Sequence, residues 1–404
     1  VEWLIAMAAN PDFAEIRPFT AEEISFLRNI VATFDDEKAL RIKEIERTTN
    51  HDVKAVEYFL RETMGAMSLG DLLEFIHFSC TSEDINNLSY ALMLKHGVND
   101  VWLPSAETLV KMVSAMAEEE KDIPMLAHTH GQSASPTTIG KELAVFVYRW
   151  NRQLKQIRAL EYLGKFNGAV GNFNAHSIAY PEVDWEQVSR SFVESLGLTY
   201  NPLTTQIESH DYVAEAFHAL ARFNNILLDF DRDMWLYISM GYFKQKAIPG
   251  EVGSSTMPHK INPIDFENSE ANLGLSNAVL DHLANKLPIS RLQRDLSDSS
   301  AQRNMGTGLA HSHIAITYTL KGLKKTVVNQ EALAADLNHA WEVLAEAVQT
   351  VMRKFGHANS YDKLKAITRG KGISETDIKA FIESVDLPAA DKQRLLSLTP
   401  AQYV

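Results

Sequence analysis

From Tyr212 to about Lys244, apolar residues recur three or four apart, at Val213, Phe217, Leu220, Phe223, Leu227, Met234 and Ile238, and no proline interrupts them. This spacing matches the turn of an α-helix and lays an apolar stripe along one continuous rod. At 1.5 Å per residue, about 33 residues span roughly 50 Å, more than a small compact domain needs and suited to one rod of a bundle. Pro249 and Gly250 mark its end. A second rod is expected from Pro136, at a first helical position, through Ile139, Leu143, Val147, Trp150, Leu154, Ile157 and Leu160. A third covers about residues 268–287, and a fourth runs from about Ser299 towards Val328. Residues 85–120 add helices interrupted near Pro104. Strand-like alternation is sparse. The expected fold class is mostly α: a long central helical bundle over 80–325, between smaller helical domains at 1–79 and 326–404. In the last of these, Ser374 and Asp377 imitate a capping box. Rods with apolar residues on more than one side predict side-by-side, two-fold symmetric oligomerisation.

Composition narrows the function classes. With 39 Lys plus Arg against 52 Asp plus Glu, the net charge is -13, which argues against broad binding to nucleic acid or anionic membranes and leaves room for a local basic pocket. The single cysteine, Cys80, cannot form an internal disulfide, so a reduced, cytoplasmic setting is expected. No run of 18 apolar residues occurs, and the opening VEWLIAMAAN lacks a basic leader. It reads as the interior of a helix, so native residues are expected to precede Val1.

Chemistry-bearing residues gather in polar segments between the rods. Gly250 to Glu270, GEVGSSTMPHKINPIDFENSE, combines glycines that permit unusual backbone angles, the hydroxyls of Ser254 and Ser255, and two stiffening prolines. Lys260 and Asn262 could face a carboxylate there as part of an anion-binding lid. A glycine-serine linker with a solvated lysine has the same composition, and the residues alone leave both readings open. In AHTHGQ, His128 and His130 precede a turn. No third ligand of a metal site accompanies them, so they read either as capping and core groups or as acid-base groups, which suits an imidazole titrating near 6.5. Further polar clusters lie at TTNHDVKA (48–55), CTSEDINN (80–87), TTQIESHDYVAE (204–215) and SRLQRDLSDSSAQRN (290–304). The last has enough donors to hold a phosphate or dicarboxylate, or forms a solvated basic helix end. Thr81 or Ser82 could equally cap a helix, and His51, Asp52, His210 and Asp211 could be polar groups at helix starts.

GSSTMPHKINP (253–263) resembles the signature of the fumarase and aspartase superfamily. Together with TNHDVKA, CTSEDINN, HTHGQ, TTQIE and the continuation IDFENSE, it resembles the bacterial adenylosuccinate lyase branch across practically the whole chain. Fumarases and aspartases typically place glycine at His259, and argininosuccinate lyases glutamine. A carboxymuconate cycloisomerase-like relative can also carry MPHK, but CTSEDINN and the arginine-serine cluster favour the purine branch. A structural relative without turnover is disfavoured by the intact His130, Ser254 and Lys260.

The resemblance implies a cofactor-free, metal-free β-elimination that releases fumarate from adenylosuccinate, giving AMP, and from SAICAR, giving AICAR. It implies Ser254 as general base, with Ser255 as its rival, and His130 as general acid. Lys260 and Asn262 would stabilise the carboxylate as it gains charge. Thr81 and Ser82 would bind the succinyl carboxylates, assisted by Gln206. His51 would lie near the substrate, and Glu267 would orient an active-site histidine. Arg294, Ser299, Ser300 and Arg303 would contact nucleotide and phosphate, while Asn50, Asp52 and Asn268 would complete the pocket. The branch further implies a homotetramer with shared active sites, an Arg-Tyr pair in a segment before Val1, arginine where this chain has His128, and about ten further residues at the carboxy terminus.

Overall fold

The computed structural model describes residues 1–65, 67, 69–250, 256–368 and 372–404. In chain order its regular elements are α1 (Glu2–Ala9), α2 (Ala21–Ala32), α3 (Asp36–Thr49), α4 (Asp52–Gly65), α5 (Ser82–His96), α6 (Leu103–Glu119), β1 (Pro124–Thr129), β2 (Gln132–Thr138), α7 (Ile139–Arg158), β3 (Leu163–Gly164), α8 (Asn174–Ala179), α9 (Trp185–Ser195), β4 (Thr199–Tyr200), α10 (Asp211–Ser239), β5 (Phe243–Gln245), α11 (Ile264–Lys286), α12 (Ser297–Gln302), α13 (Met305–Lys325), β6 (Thr326–Val328), α14 (Gln330–His339), α15 (Ala345–Lys354), α16 (Ser360–Thr368), α17 (Glu375–Ser384) and α18 (Ala389–Ser397). The structure is mostly α. Its described strands form short pairs: β1 with β2 and β5 with β6 antiparallel, and β3 with β4 parallel.

The four expected rods exist, with shifted ends. The Tyr212 rod is α10. It stops at Ser239 and not near Lys244, because Gly241 turns the chain at φ 78° and Phe243–Gln245 pairs with Thr326–Val328. Pro136 does not open a helix. It lies in β2 opposite Leu126, and α7 starts at Ile139. The rod expected from Ser299 to Val328 is broken between Gln302 and Met305 and gives way to β6 after Lys325. The irregularity assigned to Pro104 belongs to residues Gly97–Trp102, which form a wide π-type turn. Pro104 itself sits in the first turn of α6, where a missing N–H costs nothing. The Ser374–Asp377 capping box is present in full.

The chain divides into two compact units. The first comprises Val1–Val101, Ile157–Ala219 and Ala278–Leu309; the second comprises Trp102–Gln156, Leu220–Asn277 and Ala310–Val404. Each takes chain from more than one of the segments 1–79, 80–325 and 326–404.

In the first unit, Trp3, Phe166 and Phe192 form a buried aromatic cluster with ring centroids 4.4 to 5.1 Å apart. In the second, Phe146, Trp150, Phe223 and Phe230 pack between α7 and α10. A polar ladder crosses that core. Trp102 Nε1 donates to Ser312 Oγ (2.7 Å), Ser312 Oγ to Asn224 Oδ1 (2.6 Å), and Asn224 Nδ2 to Ser276 Oγ (3.0 Å). Thr319 Oγ1 lies within 2.8 Å of Asp231 Oδ1 and 2.9 Å of Ser269 Oγ, and burial pushes the Asp231 carboxyl well above the usual range. A buried carboxyl that stays protonated avoids the desolvation cost of a charge.

Candidate functional site

The first unit contains an open cavity of about 940 Å³, solvent included, lined by Glu46, Asn50, His51, Asp52, Thr81, Ser82, Asn86, Gln206, Arg294, Leu296, Ser299 and Arg303. Four separate stretches of chain, 46–52, 81–86, Gln206 and 294–303, thus bring most of the expected binding residues onto one surface.

The turn between α3 and α4 supplies Asn50, His51 and Asp52. Asn50 takes the left-handed conformation at φ 48°, which asparagine tolerates, and its N–H bonds to Glu46 O at 2.8 Å, closing α3. His51 Nδ1 accepts the backbone N–H of Lys54 at 3.2 Å, which in the neutral ring leaves the proton on Nε2. Nε2 lies 3.3 Å from Ser82 Oγ and therefore donates to it. The Ser82 hydroxyl, holding its acceptor side towards His51, can present its own proton to an anion.

Thr81 caps α5 and Ser82 begins it, and the two consecutive carboxylates of its first turn face different partners. Asp84 accepts the Thr81 N–H (2.8 Å) and reaches into the adjoining loop, taking the N–H groups of Asn167 (3.0 Å) and Gly168 (3.2 Å) and pairing with Lys165 Nζ at 2.8 Å. Both side chains of that ion pair are fully buried. Asn87 holds the Lys165 backbone from the other side through its N–H (2.8 Å) and carbonyl (2.9 Å). Burial lowers the Lys165 pKa, and Asp84 opposes that shift. Glu83, also buried, lies 2.8 Å from Arg294 Nη1, and Asp298 lies 3.9 Å from Nη2. The guanidinium thus meets the cavity in a fixed orientation.

Gln206 donates one amide N–H to Ala169 O (2.9 Å), and its backbone N–H bonds to Gln293 O (3.3 Å). Arg303 is exposed, and its interaction with the Tyr90 hydroxyl partly offsets the rise that burial gives that phenol. Ser299 lines the cavity; Ser300, next to it on α12, is exposed and outside the lining set. Cys80, beside this cluster, places its thiol 3.3 Å from Phe78 O, and burial pushes its pKa well up, which makes it a poor nucleophile. Lys165, a lone cation before a glycine-rich turn, carries no motif that marks it, and Glu83 and Asp84 stand within CTSEDINN with no local signal of the partners they take in the fold.

The remaining expected residues that the structure describes belong to the second unit. His130 and Gly131 form the two-residue tip of the β1–β2 hairpin, at φ 55° and 72°, the positive values that a tight hairpin turn matching strand twist requires. The side chain of His130 is exposed. The ring of His128 lies 6.3 Å from that of Tyr242, whose hydroxyl donates to Asp336 at 2.8 Å. Lys260 is exposed and Asn262 half-buried just before α11, and Gln245 donates to the neighbouring Ile261 carbonyl at 2.5 Å. Glu267 accepts Trp235 Nε1–H at 3.0 Å, and Asn268 accepts the Asn272 side-chain amide at 3.0 Å. Ser254 and Ser255 lie outside the described residues.

A lyase family model matches residues 2–279, and a model described as adenylosuccinate lyase C-terminal matches 290–404. Adenylosuccinate lyase of Vibrio cholerae is 58% identical over 100% of this chain and 89% of the relative. Those of Escherichia coli and Legionella pneumophila are 57% and 50% identical with the same coverage. The chain belongs to the adenylosuccinate lyase family. Among solved structures, 3-carboxy-cis,cis-muconate lactonizing enzyme from Pseudomonas putida matches with a TM-score of 0.76 at 20% identity, covering 100% of this chain and 90% of that one. Fumarate lyase from Mesorhizobium matches with a TM-score of 0.77 at 19% identity, covering 100% and 91%. At such identity these two speak for a shared fold alone.

Proposed function

We propose that this chain is a C–N lyase that eliminates fumarate from adenylosuccinate, leaving AMP, and from SAICAR, leaving AICAR. The observation that carries this reading is the cavity in which Thr81, Ser82, Gln206 and His51 meet Arg294 and Arg303 within a chain of this family. Hydroxyl, amide and imidazole groups suit the succinyl carboxylates, and the guanidinium groups suit a phosphate.

In the proposed reaction Ser254 removes the proton next to a succinyl carboxylate, the electron pair forms the C=C bond of fumarate, the C–N bond breaks, and His130 protonates the leaving nitrogen. Negative charge grows on the carboxylate before the C–N bond breaks, where fixed donors help most, and this is the role proposed for Lys260 and Asn262. Glu267 orients an active-site histidine, while Asn50, Asp52, Asn268, Ser299 and Ser300 complete the substrate contacts. A serine hydroxyl is a poor base in water; Lys260 and exclusion of water are proposed to lower the cost of its ionisation. No cofactor enters this scheme.

We further propose a cytoplasmic homotetramer with shared active sites. Its support is the exposure of large apolar side chains on the rods of the second unit, among them Tyr148 (68%), Leu236 (50%) and Leu275 (54%). Among the described residues no helix is long and apolar enough to cross a membrane. The test offers the purified protein adenylosuccinate and SAICAR separately and follows ultraviolet absorbance and fumarate release. Turnover of neither by an assembled tetramer overturns the reading.

A further inference from the structure

Both side chains of the Asp84–Lys165 pair are fully buried, and the proposed elimination gives the pair no task. Its carboxylate is nevertheless the point where two site-bearing segments meet. On one side it holds the N–H of Thr81, at the start of α5, where Thr81 and Ser82 face the cavity. On the other it holds the N–H groups of Asn167 and Gly168. That loop in turn fixes Gln206: Ala169 O accepts the Gln206 amide at 2.9 Å, and Asn167 Nδ2 donates to Thr204 Oγ1 at 2.8 Å. Among the described residues Asp84 makes no bond to Arg294, whose carboxylate partners are Glu83 and Asp298.

We propose that Asp84, neutralised by Lys165, is a positioning residue that sets Thr81, Ser82 and Gln206 for the dicarboxylate half of the ligand and leaves the phosphate-facing arginines untouched. This rests on the reading of the cavity given above. Three backbone donors and one ammonium converge on a single carboxylate, so an amide in its place accepts fewer of them and leaves the Lys165 charge buried without its counter-ion. The resulting shift falls on both segments at once.

The test measures inhibition by fumarate and by AMP separately, in the wild type and in Asp84→Asn. Wild-type turnover of adenylosuccinate checks the underlying reading on its own. With turnover established, Asp84→Asn is expected to weaken fumarate about tenfold or more, to raise KM in step, and to leave the AMP inhibition constant within about twofold. Equal weakening of both inhibitors, or of neither, overturns the proposal, since general loosening of the fold does not discriminate between them. If Asp84→Asn does not fold, Thr204→Val probes the loop arm alone. It is expected to weaken fumarate several-fold with AMP unchanged, and unchanged fumarate inhibition in that variant overturns the proposal.

Discussion

At the scale of single residues, the loop of residues 165–171 shows how little freedom the cavity wall has. Gly171 sits at φ 82°, and a Cβ there would lie 2.2 Å from Thr204 O and 2.8 Å from Thr205 O. Both are backbone atoms, which cannot swing aside as a side chain would. Gly171→Ala is therefore expected to cost on the order of 3 kcal/mol and to weaken fumarate inhibition, because relief of the clash moves the segment carrying Gln206. Denaturant unfolding and inhibition constants check both effects, and an alanine variant with wild-type stability refutes the packing argument. Nearby, His176 is fully buried among aromatic rings, 4.7 Å from Trp185 and 5.5 Å from Phe173, with neither ring nitrogen hydrogen-bonded. Burial lowers its pKa from the ordinary 6.5; Asp84 opposes the shift and Lys165 adds to it. The folded protein then keeps this ring neutral while the unfolded chain takes up a proton below about 6.5, so its contribution to stability is lost as the pH falls through that value. His176→Phe is expected to flatten the fall in unfolding free energy between pH 7.5 and pH 5. An unchanged slope would show that the ring is not the acid-sensitive group.

At the scale of elements, the β1–β2 hairpin shows what periodicity cannot reveal. Its sequence has no clean alternation, Pro136 mimics a helix start, and the pairing slips between Leu126 and His128. What makes it a hairpin is the pair of positive φ values at His130 and Gly131 together with contacts from residues two hundred positions away. Leu126 packs against Leu337, Ala340 and Val343, and Glu346 accepts the hydroxyls of Ser135 and, at 3.1 Å, Tyr403. The rods were legible because each repeats one local pattern over twenty or more residues. The cavity residues Asn50, His51, Thr81, Ser82, Gln206, Arg294, Ser299 and Arg303 were legible as motifs. Asp84 and Lys165 were not, because a buried ion pair between segments eighty residues apart leaves no local signal. The hairpin's dependence on the carboxy-terminal segment can be tested directly. Leu126→Ala removes a buried side chain and is expected to cost about 3 kcal/mol. It should also lower kcat more than it changes KM, since the residue displaced is the proposed acid at the tip. Lost stability with an unaltered kcat at low temperature would mean that the tip holds its place without this anchor.

At the scale of the whole molecule, bulk charge and site charge have opposite signs. A surface at -13 repels polyanions, while Arg294 and Arg303 concentrate positive charge in one cavity. The helices that separate the polar clusters along the chain also carry Tyr148, Trp235, Leu236 and Leu275 at their exposed positions. Such exposed apolar side chains on long rods are the surface that the proposed assembly would cover. The proposed assembly with shared active sites allows His130 and Ser254 of one site to be supplied by different copies of the chain, and complementation tests that division. His130→Ala and Ser254→Ala are each expected to fold and to lose nearly all turnover. When the two inactive proteins are dissociated, mixed and reassembled, some sites receive an intact His130 from one copy and an intact Ser254 from another, so activity should return in the mixture alone. Native mass measurement establishes that mixed tetramers have formed, and the recovered rate should rise with their fraction. Mixed tetramers without recovered turnover would place both groups on one copy, because then every site inherits one of the two defects whatever the partner.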